Sequence, residues 1–106
     1  ERYLHAVTGL SGSGPAYLFL VTEALIEAGV LAGLPREISQ ILAVETLKGS
    51  AKLLDTAASP EDLRAQVTSP GGTTAAGLRA LEARAVRSAF IEAVAAATER
   101  SRQLAT

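Results

Sequence analysis

A cluster of hydroxyl-bearing residues around a glycine pair is the segment of this sequence best suited to bind a ligand. It reads Ser69-Pro70-Gly71-Gly72-Thr73-Thr74. A Pro-Gly turn that leads into a helix exposes free backbone N–H groups beside three hydroxyls, and such a corner suits a carboxylate. The alternative is ordinary helix capping by Thr73 or Thr74, with glycines that only turn the chain. The residues alone leave both interpretations open.

A second glycine-rich segment lies near the start of the chain and reads Gly9-Leu10-Ser11-Gly12-Ser13-Gly14. Glycines that precede a helix can hold a phosphate, because their backbone amides can approach it closely. A dinucleotide-binding loop, however, needs Gly-x-Gly-x-x-Gly after a buried strand. A Walker A loop needs Lys after its last glycine, where Pro15 stands here. The segment is therefore either a tight helix start built from small residues or a direct ligand contact.

The remaining polar residues offer little acid–base or metal chemistry. His5 is the single histidine and cysteine is absent, so we expect no metal site and no thiolate nucleophile. We interpret His5 as an exposed or structural residue. We interpret Lys48 and Lys52 as a solvated stripe on a helix rather than as a Schiff-base site.

The composition is that of a folded chain with no preference for polyanions. Of the 106 residues, 48% are hydrophobic and 20% are charged, which excludes intrinsic disorder. Ten basic and eleven acidic residues give a net charge of -1, so we expect neither nucleic acid nor an anionic membrane as a partner. Residues 3–22 carry no formal charge, but the polar backbone of residues 8–14 predicts that this run does not cross a bilayer.

The sequence begins at Glu1, contains no Met and shows no secretory signal pattern. We therefore expect a piece of a longer protein. The absence of cysteine is compatible with a reducing compartment, and we expect a cytoplasmic location.

Hydrophobic spacing and capping residues predict five helices and no strand. Gly33 is expected to end the first helix, and Ser59 followed by Pro60 is expected to start the third. The predicted helices cover residues 15–31, 35–52, 60–67, 75–82 and 86–104. Two of them are too apolar for a compact monomer, which predicts self-association; the alternative is that these faces form the core of the chain itself.

Several motifs and their separation together resemble one family, the pyrroline-5-carboxylate reductases. The resemblance covers nearly the whole chain, and the second glycine motif with its spacing to Leu78 and Glu82 is the most specific part. The matching runs are Thr8-Gly9-Leu10-Ser11-Gly12-Ser13-Gly14-Pro15-Ala16-Tyr17, Ala28-Gly29 with Gly33-Leu34-Pro35, and Val67-Thr68-Ser69-Pro70-Gly71-Gly72-Thr73-Thr74 with Leu78 and Leu81-Glu82.

The resemblance implies an all-α fold of the 6-phosphogluconate dehydrogenase C-terminal-like type, with about five helices in an interleaved homodimer. Residues 1–106 would be the C-terminal dimerisation and substrate-binding domain. An N-terminal Rossmann domain, outside this chain, would bind NADPH or NADH. Members of the family also assemble dimers into larger rings.

The implied reaction is reduction of 1-pyrroline-5-carboxylate to L-proline, in which a hydride adds to the carbon of the C=N bond. By resemblance, the substrate-binding residues are Val67, Ser69, Gly72, Thr73 and Thr74. Thr74 would place its hydroxyl nearest the ring nitrogen and is the catalytic candidate. The residues near the nicotinamide would be Ser11, Gly12, Ser13, Gly14 and Pro15. The chain alone is expected to be inactive.

One short segment departs from the family pattern. Ala83-Arg84-Ala85-Val86 stands where its members usually have adjacent glycines, and we expect a more helical turn there. Two alternatives stay open: the helical domain of a related β-hydroxyacid dehydrogenase or imine reductase, and a non-catalytic dimerisation module. The first would need a catalytic lysine, for which only Lys48 and Lys52 are available.

Overall fold

The computed structural model describes residues 2–106, and every regular element within that range is helical. The elements are α1 (Leu4–Val7), a π-helical turn (Thr8–Gly12), α2 (Gly14–Leu31), α3 (Arg36–Leu54), α4 (Pro60–Gln66), α5 (Thr73–Ala83) and α6 (Val86–Ala105). The all-α prediction is confirmed, and α2 to α6 correspond to the five predicted helices. The pattern of residues did not predict α1 and the π-helical turn.

Local sequence features set most of the helix ends. Gly33, two residues after the last residue of α2, adopts a positive φ of 113°, and the helix ends before it as predicted. At the start of α4, the Ser59 hydroxyl accepts a hydrogen bond from the Asp62 N–H at 3.1 Å, which confirms the predicted cap. Helix α5 begins at Thr73, two residues before the predicted start at Ala75. Thr73 and Thr74 therefore lie inside its first turn, not ahead of it.

The described chain divides into two compact units, Phe19–Ala75 and the remainder. In the remainder, α1 and the π-helical turn pack on α6. The approach is closest at the buried Gly9, where an added Cβ would meet Thr98 Oγ1 and lie 2.9 Å from the Val94 carbonyl oxygen. His5 Nδ1 and Ser101 Oγ add a hydrogen bond of 2.8 Å between α1 and α6.

In the unit Phe19–Ala75, a buried serine joins α2 to α3. Ser39 is 3% exposed, and its hydroxyl donates to the Ile26 carbonyl at 2.8 Å. A Cβ on Gly29 would collide with the Ser39 hydroxyl, so only glycine permits this approach. The nearby ion pair between Arg36 and Glu27 is 2.6 Å long but exposed, so it adds little stability.

Large apolar side chains find few partners within the chain. Among the described residues, Ala43 is the only buried hydrophobic residue, and the other buried side chains are Ser39 and Thr98. Phe19 and Leu20, by contrast, each expose 65% of their surface. The apolar helix faces of the described residues therefore do not form a core within this chain, contrary to the alternative stated above.

The junction between α5 and α6 is a sharp break. Ala85 adopts left-handed φ and ψ values of 57° and 43° directly before α6. The expectation of a more helical turn is wrong at this residue, because its backbone angles are left-handed although it is not a glycine. An L-residue in this conformation carries a steric penalty that glycine avoids.

Replacing Ala85 by Gly should stabilise the chain. Removal of the Cβ penalty outweighs the greater chain entropy of unfolded glycine, and we expect a gain of about 0.5–1 kcal/mol. Thermal unfolding followed by circular dichroism measures it. Ala83→Gly, in the last turn of α5, is the matched control and should lower stability by about 1 kcal/mol. A fall in melting temperature for Ala85→Gly would contradict the assigned backbone conformation.

Replacing Gly9 by Ala should destabilise the packing of the π-helical turn on α6. The new methyl group meets backbone atoms of Val94 and Thr98 that cannot move freely, so we expect a loss of about 2 kcal/mol. Gly49→Ala is the control, because no atom lies within 4 Å of an added Cβ there. It should instead raise helix stability by about 1 kcal/mol. Urea unfolding midpoints of the two variants should shift in opposite directions.

Candidate functional site

A tight turn, Ser69–Gly72, lies in the connection from α4 to α5, and the predicted substrate-binding residues lie in it or beside it. The Gly72 N–H donates to the Ser69 carbonyl at 3.0 Å, and Gly71 has a φ of 73°. With Pro70 in second place and a left-handed glycine in third, this is the pattern of a type II turn. The predicted Pro-Gly turn therefore leads directly into the first turn of α5.

Ser69 and Gly72 lie against each other in this turn. A Cβ on Gly72 would come within 2.6 Å of the Ser69 hydroxyl and 3.3 Å of the Ser69 carbonyl oxygen. Any larger residue at position 72 would push the Ser69 side chain away. The two positions are thus fixed together as one small surface at the start of α5.

The hydroxyl groups of the turn are available to a ligand. Within residues 2–106, the side chains of Ser69, Thr73 and Thr74 make no hydrogen bond to another residue. The first backbone N–H groups of a helix also lack partners inside that helix, and the helix dipole favours an anion there. Hydroxyl and amide N–H groups at one helix start can together donate hydrogen bonds to the oxygens of a small carboxylate. Both threonines lie inside α5, so neither is the residue that precedes and caps it, and ligand binding by these groups stays a prediction.

Val67 lies at the other end of the same connection, directly after α4. It is the residue that ends this helix, and its side chain is 65% exposed. Thr68 follows, and its hydroxyl donates to the Arg64 carbonyl at 2.6 Å, which closes the end of α4. An exposed valine beside the hydroxyl-rich turn can serve as an apolar wall.

The segment from Ser11 to Pro15 is helical except at Ser13, which joins two helical elements. Ser11 and Gly12 belong to the π-helical turn, and α2 begins at Gly14. The Ser13 N–H donates to the Thr8 carbonyl at 2.9 Å, an interval of five residues that defines the π register. Of the two interpretations, the tight helix start describes the backbone, while the ligand contact stays a prediction.

A tyrosine that the sequence analysis treated only as part of a motif holds this segment. The Tyr17 hydroxyl donates to the Gly9 carbonyl at 2.8 Å in a part-buried environment. The only signal in the sequence is a phenol in the otherwise apolar first turn of α2. Its partner could not be predicted, because the bond depends on the unpredicted π-helical turn.

The structure places the other polar candidates in ordinary roles. His5 bridges α1 and α6 through Ser101, as a structural histidine would. Lys48 forms an exposed ion pair of 3.1 Å with Glu45 on its own helix, which gives no support to a catalytic lysine. In the described part of the chain, no three His, Cys, Asp or Glu side chains gather into a possible metal site.

One helical stretch, Leu4–Leu31, is long and apolar enough to cross a membrane by length and composition alone. None of its most apolar window is buried within the chain. The same properties suit a helix that packs against another protein, and the predicted absence of a membrane partner stays a prediction.

The comparisons with known proteins agree with one another. The family model described as pyrroline-5-carboxylate reductase dimerisation matches residues 1–104. A pyrroline-5-carboxylate reductase from Synechocystis sp. is 55% identical over 98% of this chain, and one from Arabidopsis thaliana is 52% identical over the same share. The chain spans only 39% and 38% of the length of these two relatives.

Solved structures show the same likeness. A pyrroline carboxylate reductase of Plasmodium falciparum with NADP bound superposes with a TM-score of 0.94 at 39% identity, over 100% of this chain and 41% of that one. A pyrroline-5-carboxylate reductase from Coxiella burnetii gives a TM-score of 0.94 at 43% identity, over 98% of this chain and 39% of that one. The fold and the sequence thus point to one family.

Proposed function

The chain belongs to the family of pyrroline-5-carboxylate reductase dimerisation domains, and from this premise we propose that it is the substrate-binding and dimerising part of such a reductase. The complete enzyme would reduce 1-pyrroline-5-carboxylate to L-proline with NADPH or NADH in proline biosynthesis, in the cytoplasm. The observation that carries this proposal is the hydroxyl-lined type II turn at the start of α5, which lies in the chain segment that carries the family's most specific motif.

The turn would bind the substrate through its carboxylate. Ser69 and Thr73 offer hydroxyl donors, and the Gly72 N–H, which already donates to the Ser69 carbonyl, fixes the turn that carries them. Thr74 lies one residue further into α5, half-buried, which suits a hydroxyl that contacts the ring nitrogen. Val67 would contact the apolar edge of the five-membered ring.

Residues Ser11 to Pro15 fit a role beside the nicotinamide. Nothing lies within 4 Å of a Cβ built on Gly14, and at Gly12 only the Thr8 methyl group does, at 3.8 Å. Two serine hydroxyls flank this open surface, and such donors suit the carboxamide of a nicotinamide. The cofactor, when bound, supplies the hydride, and most of its binding would fall to the N-terminal domain of the complete protein.

The proposed reaction depends more on the orientation of the substrate than on proton transfer by a side chain. A cyclic imine that is protonated on nitrogen is already electrophilic at carbon, so the chain's residues need only hold it in line for hydride addition. Hydroxyls and amides serve this purpose without any change of charge. The described turn contains these groups and no acidic or basic side chain.

Exposed apolar side chains on two helices support a homodimer. Phe19 and Leu20 on α2, and separately Ile91 on α6, are each at least 65% exposed, and large exposed apolar patches mark sites of protein association. A second copy of the chain would cover them, with interleaved helices, and dimers could assemble further into rings. On its own the chain would associate but catalyse nothing, since hydride transfer needs the other domain.

Replacing Thr74 by Ala in the complete enzyme should lower kcat by about 10- to 100-fold, as loss of one oriented donor does. Affinity for the nicotinamide cofactor should stay nearly unchanged, because Thr74 contacts the substrate. Thr56→Ala, in the exposed connection before α4, is the control and should retain full activity. Steady-state kinetics with pyrroline-5-carboxylate give both values, and unchanged kinetics for Thr74→Ala would remove this residue from the site.

Replacing Leu20 by Glu should break the dimer, because a buried carboxylate without a partner is strongly unfavourable. Light scattering coupled to size exclusion should then report a monomer or an unfolded chain. Leu20→Met keeps an apolar side chain of similar volume at the same position and should leave the dimer intact. A dimer of normal stability in Leu20→Glu would place the interface elsewhere.

A further inference from the structure

The π-helical turn Thr8–Gly12 is a rare backbone conformation. Such turns are rare and occur mostly as single turns, often at functional sites. It contains the start of the serine–glycine segment that we propose to lie beside the nicotinamide. What keeps it in this register therefore bears on where that segment lies.

The turn is held from two directions. On one side, Gly9 lies against the backbone of α6 with no space for a Cβ. On the other side, the Tyr17 hydroxyl donates to the Gly9 carbonyl at 2.8 Å. The bond links the turn to the first turn of α2 and so closes a loop that contains residues 10–16.

The register of the turn decides which way its residues point. Each residue of an α-helix advances the chain by about 100° and 1.5 Å, so a change from π to α pairing would displace the following residues by roughly those amounts. Ser11 and Ser13 would then present their hydroxyls in a different direction. The hydrogen bond from the Tyr17 hydroxyl to the Gly9 carbonyl opposes a change of register. If this bond broke, a part-buried carbonyl would lose that partner, which is unfavourable.

We propose that Tyr17 is a positioning residue: its hydroxyl holds the Gly9 carbonyl, keeps Thr8–Gly12 in the π register, and thereby fixes where Ser11 to Pro15 meet the nicotinamide end of the cofactor. This inference rests on the proposed reductase function. Tyr17 itself touches neither substrate nor cofactor in this arrangement. Its ring is rigid and attached to α2, so only two side-chain torsions separate the backbone from the ring that carries the donor.

The test is Tyr17→Phe in the complete enzyme, which removes one oxygen atom and keeps the ring. Tyr3→Phe is the matched control, because Tyr3 is 57% exposed and its hydroxyl is bonded to Arg2 instead. Hydrogen exchange of the peptide covering residues 8–16 is measured with and without NADPH, and steady-state kinetics and melting temperature are measured beside it.

In the wild type and in Tyr3→Phe, NADPH should slow exchange in residues 10–16. In Tyr17→Phe, exchange without cofactor should rise by about 5- to 10-fold, as expected for one lost hydrogen bond, and the protection by NADPH should shrink. The kcat should fall about tenfold while KM for the imine changes by less than about twofold, since a misplaced contact raises the barrier without weakening substrate binding.

Each other outcome overturns the inference. Unchanged exchange in Tyr17→Phe means that the hydroxyl does not hold the turn. Faster exchange with unchanged kcat and unchanged NADPH protection means that Tyr17 has a structural role only. Failure of the wild type to reduce pyrroline-5-carboxylate would refute the proposed function, while the exchange measurements with NADPH would still decide the role of Tyr17.

Discussion

The apolar side chains of this chain have almost nothing of their own to pack against, and this constraint shapes the rest of the structure. In the described residues the buried set consists of one alanine and two hydroxyl-bearing side chains, together with Gly9. Hydrophobic burial is the main driving force of folding, so a chain that leaves leucines and phenylalanines exposed needs a further surface to cover them. The dimerisation family to which the chain belongs is consistent with a second copy of the chain as that surface, as proposed above.

Small residues fix the helix contacts that a hydrophobic core would fix in other proteins. Gly9 lets the π-helical turn approach α6 beside Thr98, and Gly29 lets α2 approach the Ser39 hydroxyl on α3. In both cases the hydroxyl donates a hydrogen bond to a helix carbonyl: Thr98 to that of Val94, and Ser39 to that of Ile26. Close backbone contact with no unsatisfied polar group gives each junction a single geometry, although little apolar surface is buried there.

The sequence predicted the parts of this fold that depend on local chemistry. Ser59 with Pro60 marks the start of α4, and Gly33 marks the end of α2, because a cap and a left-handed glycine act within one helical turn. The π-helical turn was not predictable from local sequence. It is held by the packing of Gly9 against α6 and by the bond from Tyr17, which lies eight residues after Gly9. Ala85 was also missed, because alanine gives no sign of a left-handed backbone. The Pro-Gly turn before α5 lies between these cases: the turn itself was predicted, but the start of α5 at Thr73 was placed two residues late.

The proposed site derives its chemistry from backbone geometry. It has no titrating side chain to tune, so what it can offer a small anionic imine is a fixed array of donors. Pro70 and Gly71 set the type II turn, and the turn directs the Gly72 N–H onto the Ser69 carbonyl. Gly72 must remain small because the Ser69 side chain occupies the space of a Cβ. In the proposed function the residues that bear hydroxyls bind the substrate, and the proline and glycines between them determine where those hydroxyls lie, so both groups of residues belong to the proposed site.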